Sequence, residues 1–181
     1  MKTQTGLSTI IMAFLMLFTF NLNAQDFTGL DKSPMDAAYF PSSHKEANKL
    51  IKVVYSRPQL KERSLEKLAP NGKVWRTGAN EAAEITLYKD MKLGNTLIKA
   101  GTYSLATIPG EKEWTIIINS DLNAWGSYSY KEANDVARIS VPVGSSEKTI
   151  EAFSIAFNEA KTGVDMYLGW DKVVVKVPFS L

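Results

Sequence analysis

Cysteine is missing altogether from the 181 residues, and histidine occurs once, at His44. Without cysteine there is no disulfide, no lipid-bearing cysteine of the bacterial lipoprotein kind, and none of the usual zinc or copper ligand clusters. One imidazole leaves at most one histidine base, and His44 sits in a polar stretch, Ser42-Ser-His-Lys-Glu46, that reads as solvent-exposed. A surplus of either charge is missing too. The 21 basic and 19 acidic residues are interspersed rather than blocked, which argues against nucleic acid or an anionic membrane as partner. Long apolar runs are the third absence: the longest, residues 10–20, falls short of the roughly 20 residues that span a bilayer, and no later stretch approaches it. Neither a P-loop spacing, nor a dinucleotide-binding glycine fingerprint, nor an EF-hand spacing occurs. No metal and no cofactor is therefore expected.

What the first residues do contain is Lys2, the apolar run, and small residues close to Ala24, the layout of a secretory signal peptide. Cleavage near Ala24 is expected to leave residues 25–181 as one exported domain, periplasmic or secreted, with the periplasm preferred because no sorting module follows the last strand. With Lys2 gone the balance is 20 basic to 19 acidic. A chain of that size buries a sizeable core without covalent staples.

From residue 50 onward, apolar side chains take every second position in one short run after another. Ile51, Val53 and Tyr55 alternate with Lys52. Ile85 and Leu87 alternate with Glu84 and Thr86. Trp114, Ile116 and Ile118 alternate with Thr115 and Asn119. Phe153, Ile155 and Phe157 repeat the pattern, as do Met166, Leu168 and Trp170, and the last run, residues 173–179, is more uniformly apolar. Each is a strand with one buried and one wetter face. Pro70-Asn71-Gly72, Gly94-Asn95 and Pro109-Gly110-Glu111-Lys112 supply turn chemistry, and connections this short predict antiparallel neighbours. Helical pieces are expected only near Lys61 to Leu68 and Lys131 to Asp135. The prediction is all-β: one antiparallel β-sandwich or jelly-roll-like domain of about nine or ten strands, a closed barrel being the variant. Residues 26–49 form a less regular lead-in with one short strand near Ala37 to Phe40.

Tyr55-Ser-Arg-Pro58 and Pro70-Asn-Gly-Lys-Val-Trp-Arg-Thr-Gly-Ala-Asn-Glu81, with Ala100-Gly-Thr-Tyr-Ser-Leu105, Ile108-Pro-Gly110, Trp125-Gly126, Tyr130 and Asp135-Val-Ala-Arg138, carry a resemblance. Together they resemble the domain of unknown function (DUF) 2911 proteins of Bacteroidota-type bacteria over nearly the whole mature chain. The resemblance implies an exported bacterial protein and no particular activity. Where the family pattern has an aromatic-glycine pair and a longer loop before the proline, this chain is shorter and has Asn71.

Arg57, Lys61, Arg63, Arg76, Asn80, Glu81 and Glu84 are the most distinctive polar set, fit either to line a site for an anionic or polyhydroxylated ligand or to brace loops through ion pairs. Gly78 either opens a backbone anion nest or permits a positive-φ turn. Glu81 and Glu84 are the weak catalytic candidates, with Asp121, Asp135 or Asp165 as a distant carboxylate partner for Glu81. Trp125, Tyr128 and Tyr130 form either a stacking platform for a sugar ring or the closure of one end of the core. The leading expectation is a non-enzymatic binding module for a small molecule, glycan or envelope partner through Arg57, Arg63, Arg76, Asn80, Glu81, Trp125 and Tyr128. The alternatives are a carboxylate-dependent hydrolase acting on saccharide or envelope material, and a purely structural or assembly module.

Overall fold

Alternating sequence becomes alternating burial in most strands, while the central ones, Gly101–Ile108 and Glu113–Asn119, bury part of both faces. The computed structural model describes residues 26–181; the expected signal peptide lies outside the described residues. Asp26 to Leu30 carries no regular structure, and the fold runs from Asp31 to Leu181. Its strands are β1 (Met35–Phe40), β2 (Ile51–Ser56), β3 (Ala83–Leu87), β4 (Met91–Leu93), β5 (Thr96–Ile98), β6 (Gly101–Ile108), β7 (Glu113–Asn119), β8 (Asp135–Ala160) and β9 (Gly163–Ser180). All pairings are antiparallel, in the spatial order β1-β2-β3-β6-β7-β8-β9-β4-β5. The helical pieces are a single turn, α1 (Leu65–Leu68), capped by the Ser64 hydroxyl, and a 3₁₀ turn at Glu132–Asn134.

One strand builds both layers. β8 pairs with β7 as far as Pro142 and with β9 from Val143 onward, so a single 26-residue strand passes from the first layer into the second. The register with β9 shifts between Ser145 and Ile150 and again before Ser154, and bulges of this kind bend a strand around a sandwich corner. The far part of β8 then returns to the chain leaving β2. The Phe153 amide donates to the Pro58 carbonyl (2.9 Å), the Leu60 amide to the Glu151 carbonyl (2.9 Å), and Gln59 bridges Ala152.

The enclosed core contains the predicted residues: Ile51, Val53, Ile85, Trp114, Ile116, Ile118, Phe153, Met166 and Trp170 are at most 2 % exposed. At its centre Trp75 stacks on Trp170 (centroids 5.4 Å apart) and meets Phe153 (4.9 Å) and Trp114 (6.1 Å) edge-on. Such aromatic pairs add about 0.5–1.5 kcal/mol each beyond area burial.

Some details depart from what the sequence predicts. Asn119, expected on the wetter face of β7, is buried: its side-chain amide donates to the Lys131 carbonyl (3.0 Å) and Asp135 Oδ1 (2.8 Å), because the chain after β7 folds back over that face. The last strand, expected to be uniformly apolar, alternates, with Val175, Val177 and Phe179 inside and Lys176 and Pro178 outside.

Candidate functional site

Residues 75–81 are held from both ends. Trp75 exchanges backbone hydrogen bonds with Thr107 of β6 (2.7 and 2.9 Å), and its indole Nε1 donates to the Gly78 carbonyl (3.1 Å), drawing the chain into a tight turn. The left-handed residues of that turn are Thr77 (φ 54°) and Asn80 (φ 59°), not Gly78. Gly78 is needed for close approach instead: a Cβ there would stand 3.0 Å from the Ser56 carbonyl oxygen.

A second loop clasps this turn. The Gly126 amide donates to the Asn80 carbonyl (3.0 Å), the Ala82 amide to the Ala124 carbonyl (2.9 Å), and the Ser127 hydroxyl to the Val74 carbonyl (3.1 Å). Gly126 takes φ 67°, and a Cβ on it would meet the Tyr128 ring at 2.7 Å. Anchored there, the loop turns Trp125 (61 % exposed) and Tyr128 (87 % exposed) to solvent. Neither ring closes the core, whereas Tyr130 turns inward and donates its hydroxyl to Asp135 Oδ2 (2.8 Å).

Two hollows flank the clasp and share Ala82 and Ala124 as walls. The larger, of about 210 Å³, is lined by Met35, Val54, Ser56, Glu81, Glu84 and Asn123 among others. Glu84 Oε1 accepts from the Asn123 amide (3.1 Å), and neither Glu81 nor Glu84 joins an ion pair among the described residues. Its apolar floor with two carboxylates outside any ion pair suits hydroxyl or amine donors. The smaller, of about 20 Å³, is bordered by Arg76, Ser104, Asn119, Asp121, Ser127 and Tyr130. Beside it lies a closed polar network: Asp135 accepts from Asn119 and Tyr130 and forms an ion pair with Arg138 (Nε 3.1 Å), and Arg138 also pairs with Glu132 (2.7 Å). Burial, with the bond to Asp135 second, pushes the Tyr130 phenol up to about 12.

Of the sequence-predicted residues, Arg76, Asn80, Glu81, Glu84, Trp125 and Tyr128 lie on the clasped turn and loop or line the two hollows, Asp121 lines the smaller hollow, and Asp135 is bonded to Asn119 and Tyr130. The other cations lie elsewhere. Arg57 braces strands, donating to the Phe153 carbonyl (3.1 Å), Ser154 Oγ (2.8 Å) and Asp36 (3.0 Å). Arg63 caps its own loop through the Leu60 and Gln59 carbonyls, and the Lys61 amide donates to Glu151 Oε1 (2.8 Å). Asp165 pairs with Lys176 (3.6 Å), and His44 is exposed. Among the described residues no group of His, Asp and Glu side chains is placed to hold a metal ion, and no helix is long and apolar enough to cross a membrane. Met35, Ser56 and Asn123 were not legible as site residues, because only the β1–β2 pairing, which sets Met35 opposite Ser56, and the second loop bring them to the hollow.

No curated protein and no solved structure matches the chain. Residues 37–179 match the family described as "Protein of unknown function (DUF2911)", a span that runs from within β1 to within β9, and the chain belongs to that family.

Proposed function

We propose that this protein is a non-enzymatic binding module for a small polyhydroxylated ligand, a glycan or glycan-like envelope component, acting outside the cytoplasm after loss of a leader ending near Ala24. The observation that carries the reading is the pairing of exposed aromatic rings with an open hollow: Trp125 and Tyr128 stand in solvent on a loop anchored at three points, next to the cavity that holds Glu81 and Glu84. Solvent-exposed aromatic faces are available for stacking, and a sugar ring offers an apolar face to them while its hydroxyls donate to carboxylates. Calorimetric titration of the mature domain against a saccharide panel is expected to show binding that Trp125→Ala weakens at least tenfold and Glu81→Gln weakens severalfold, with melting unchanged. Equal affinity in Trp125→Ala overturns the reading.

The hydrolase alternative draws on a specific feature, the two carboxylates of Glu81 and Glu84 in one hollow. It requires turnover of chromogenic glycosides that Glu81→Gln or Glu84→Gln abolishes; binding without turnover favours the module.

A further inference from the structure

Arg76 sits at the smaller hollow in an unusual electrostatic position. Its guanidinium joins no ion pair and donates to no protein atom among the described residues, and its Nε is sealed from solvent without an acceptor. A planar group with five donors is normally placed where carboxylate or phosphate oxygens meet it. The acid that lines the hollow with it is already engaged: Asp121 accepts at both oxygens from the Asn134 side-chain amide (2.8 and 2.9 Å). Ser104, Ser127, Ser129 and Tyr130 add hydroxyls to a rim otherwise made largely of small apolar side chains, with Gly126 between the two solvent-facing rings.

The geometry points to Arg76 as the anchor for an oxyanion carried by the ligand, so that the module's ligand is acidic: a saccharide bearing a carboxylate, phosphate or sulfate. This rests on the binding reading above and specifies its ligand class. The narrowness of the hollow supports it. About 20 Å³ admits one oxygen-sized group and no ring, so an anionic oxygen enters towards Arg76 while the body of the ligand stays outside, against Trp125 and Tyr128. Ala82 and Ala124, the walls common to both hollows, put the Glu81 and Glu84 carboxylates on the other side of the same ridge, where ligand hydroxyls reach them.

The test follows the backbone amide signals of Gly126, Ser127 and Ala82 in the folded domain while glucose, glucuronate or inorganic phosphate is added. The expected result is saturable shifts with glucuronate or phosphate at a dissociation constant at least about tenfold below that for glucose, as charge-assisted bonds predict. Arg76→Gln is expected to erase the preference. Arg76→Lys, which keeps the charge and loses the fork, is expected to retain part of it and guards against a folding defect in the first variant. Equal response to glucose and glucuronate, unaltered in either variant, overturns the anionic specificity, assigns the hollow to a bound water alone and leaves the binding reading intact. No response to any of the probes, or to any member of the saccharide panel, overturns both.

Discussion

Arg57 illustrates how little of a cation's role its sequence neighbourhood discloses. Its ion pair with Asp36 is half-exposed and adds little, but its bonds to the Phe153 carbonyl and Ser154 tie the end of β2 to the returning part of β8. Arg57→Ala is expected to cost about 1–2 kcal/mol in denaturant unfolding, without effect on ligand affinity. Gly78→Ala is expected to cost about 1–3 kcal/mol, because the new Cβ meets the Ser56 backbone, which has no freedom to retreat. Tyr130 makes a pH prediction with a definite sign. Its phenol is raised from 10.0 to about 12 in the folded protein, so the folded state holds this proton more tightly than the unfolded chain. Its stabilising contribution is complete below about pH 10 and is lost as pH rises towards about 12. Titration of the tyrosine ring signals should show a late phenol that disappears in Tyr130→Phe, beside that of Tyr55, which burial also pushes up; a Tyr130 signal titrating at the ordinary value contradicts the assignment.

At the scale of elements, β7 and the β4–β5 hairpin mark the two extremes. β7 lies between β6 and β8, and Ile116, Ile117 and Ile118 are all fully buried, on both of its faces. The β4–β5 hairpin has three-residue strands and ends the spatial order. Amide hydrogen exchange should therefore report global unfolding in β7 and an earlier, local opening in β5. Trp170→Ala, which removes one half of the stack on Trp75, is expected to cost about 3–5 kcal/mol, a large share of a total stability of about 5–15 kcal/mol. The strands with a clear local pattern were legible: period-two burial along Ile51 to Tyr55 or Phe153 to Phe157 needs no knowledge of the partner, whereas residues 135–150 were not legible as strand and the runs at 166–170 and 173–179 join into one. The turn at Gly94-Asn95 was legible for the same reason, being the two residues between Leu93 and Thr96. The unbroken run of β8 through Pro142 into the second layer was not, since its bend depends on β9, and neither was the burial of Asn119, which depends on a fold-back at Lys131.

Over the whole molecule, the candidate site divides along the same line. Trp75 to Glu81 and Trp125 to Tyr130 stand out as sequences, yet only the backbone bonds between Asn80 and Gly126 and between Ala82 and Ala124 make them one surface. Composition limited the chemistry by exclusion, through the absence of cysteine and the single histidine, and left the ligand open. The most direct measurement is a map of backbone amide shifts across the domain as saccharides are added. The account predicts that they gather at residues 81–84 and 123–129, around the Glu81 and Glu84 hollow and the two exposed rings. Shifts centred instead on the separate hollow lined by Glu66, Glu111 and Asp171, or no shift with any saccharide, would contradict it.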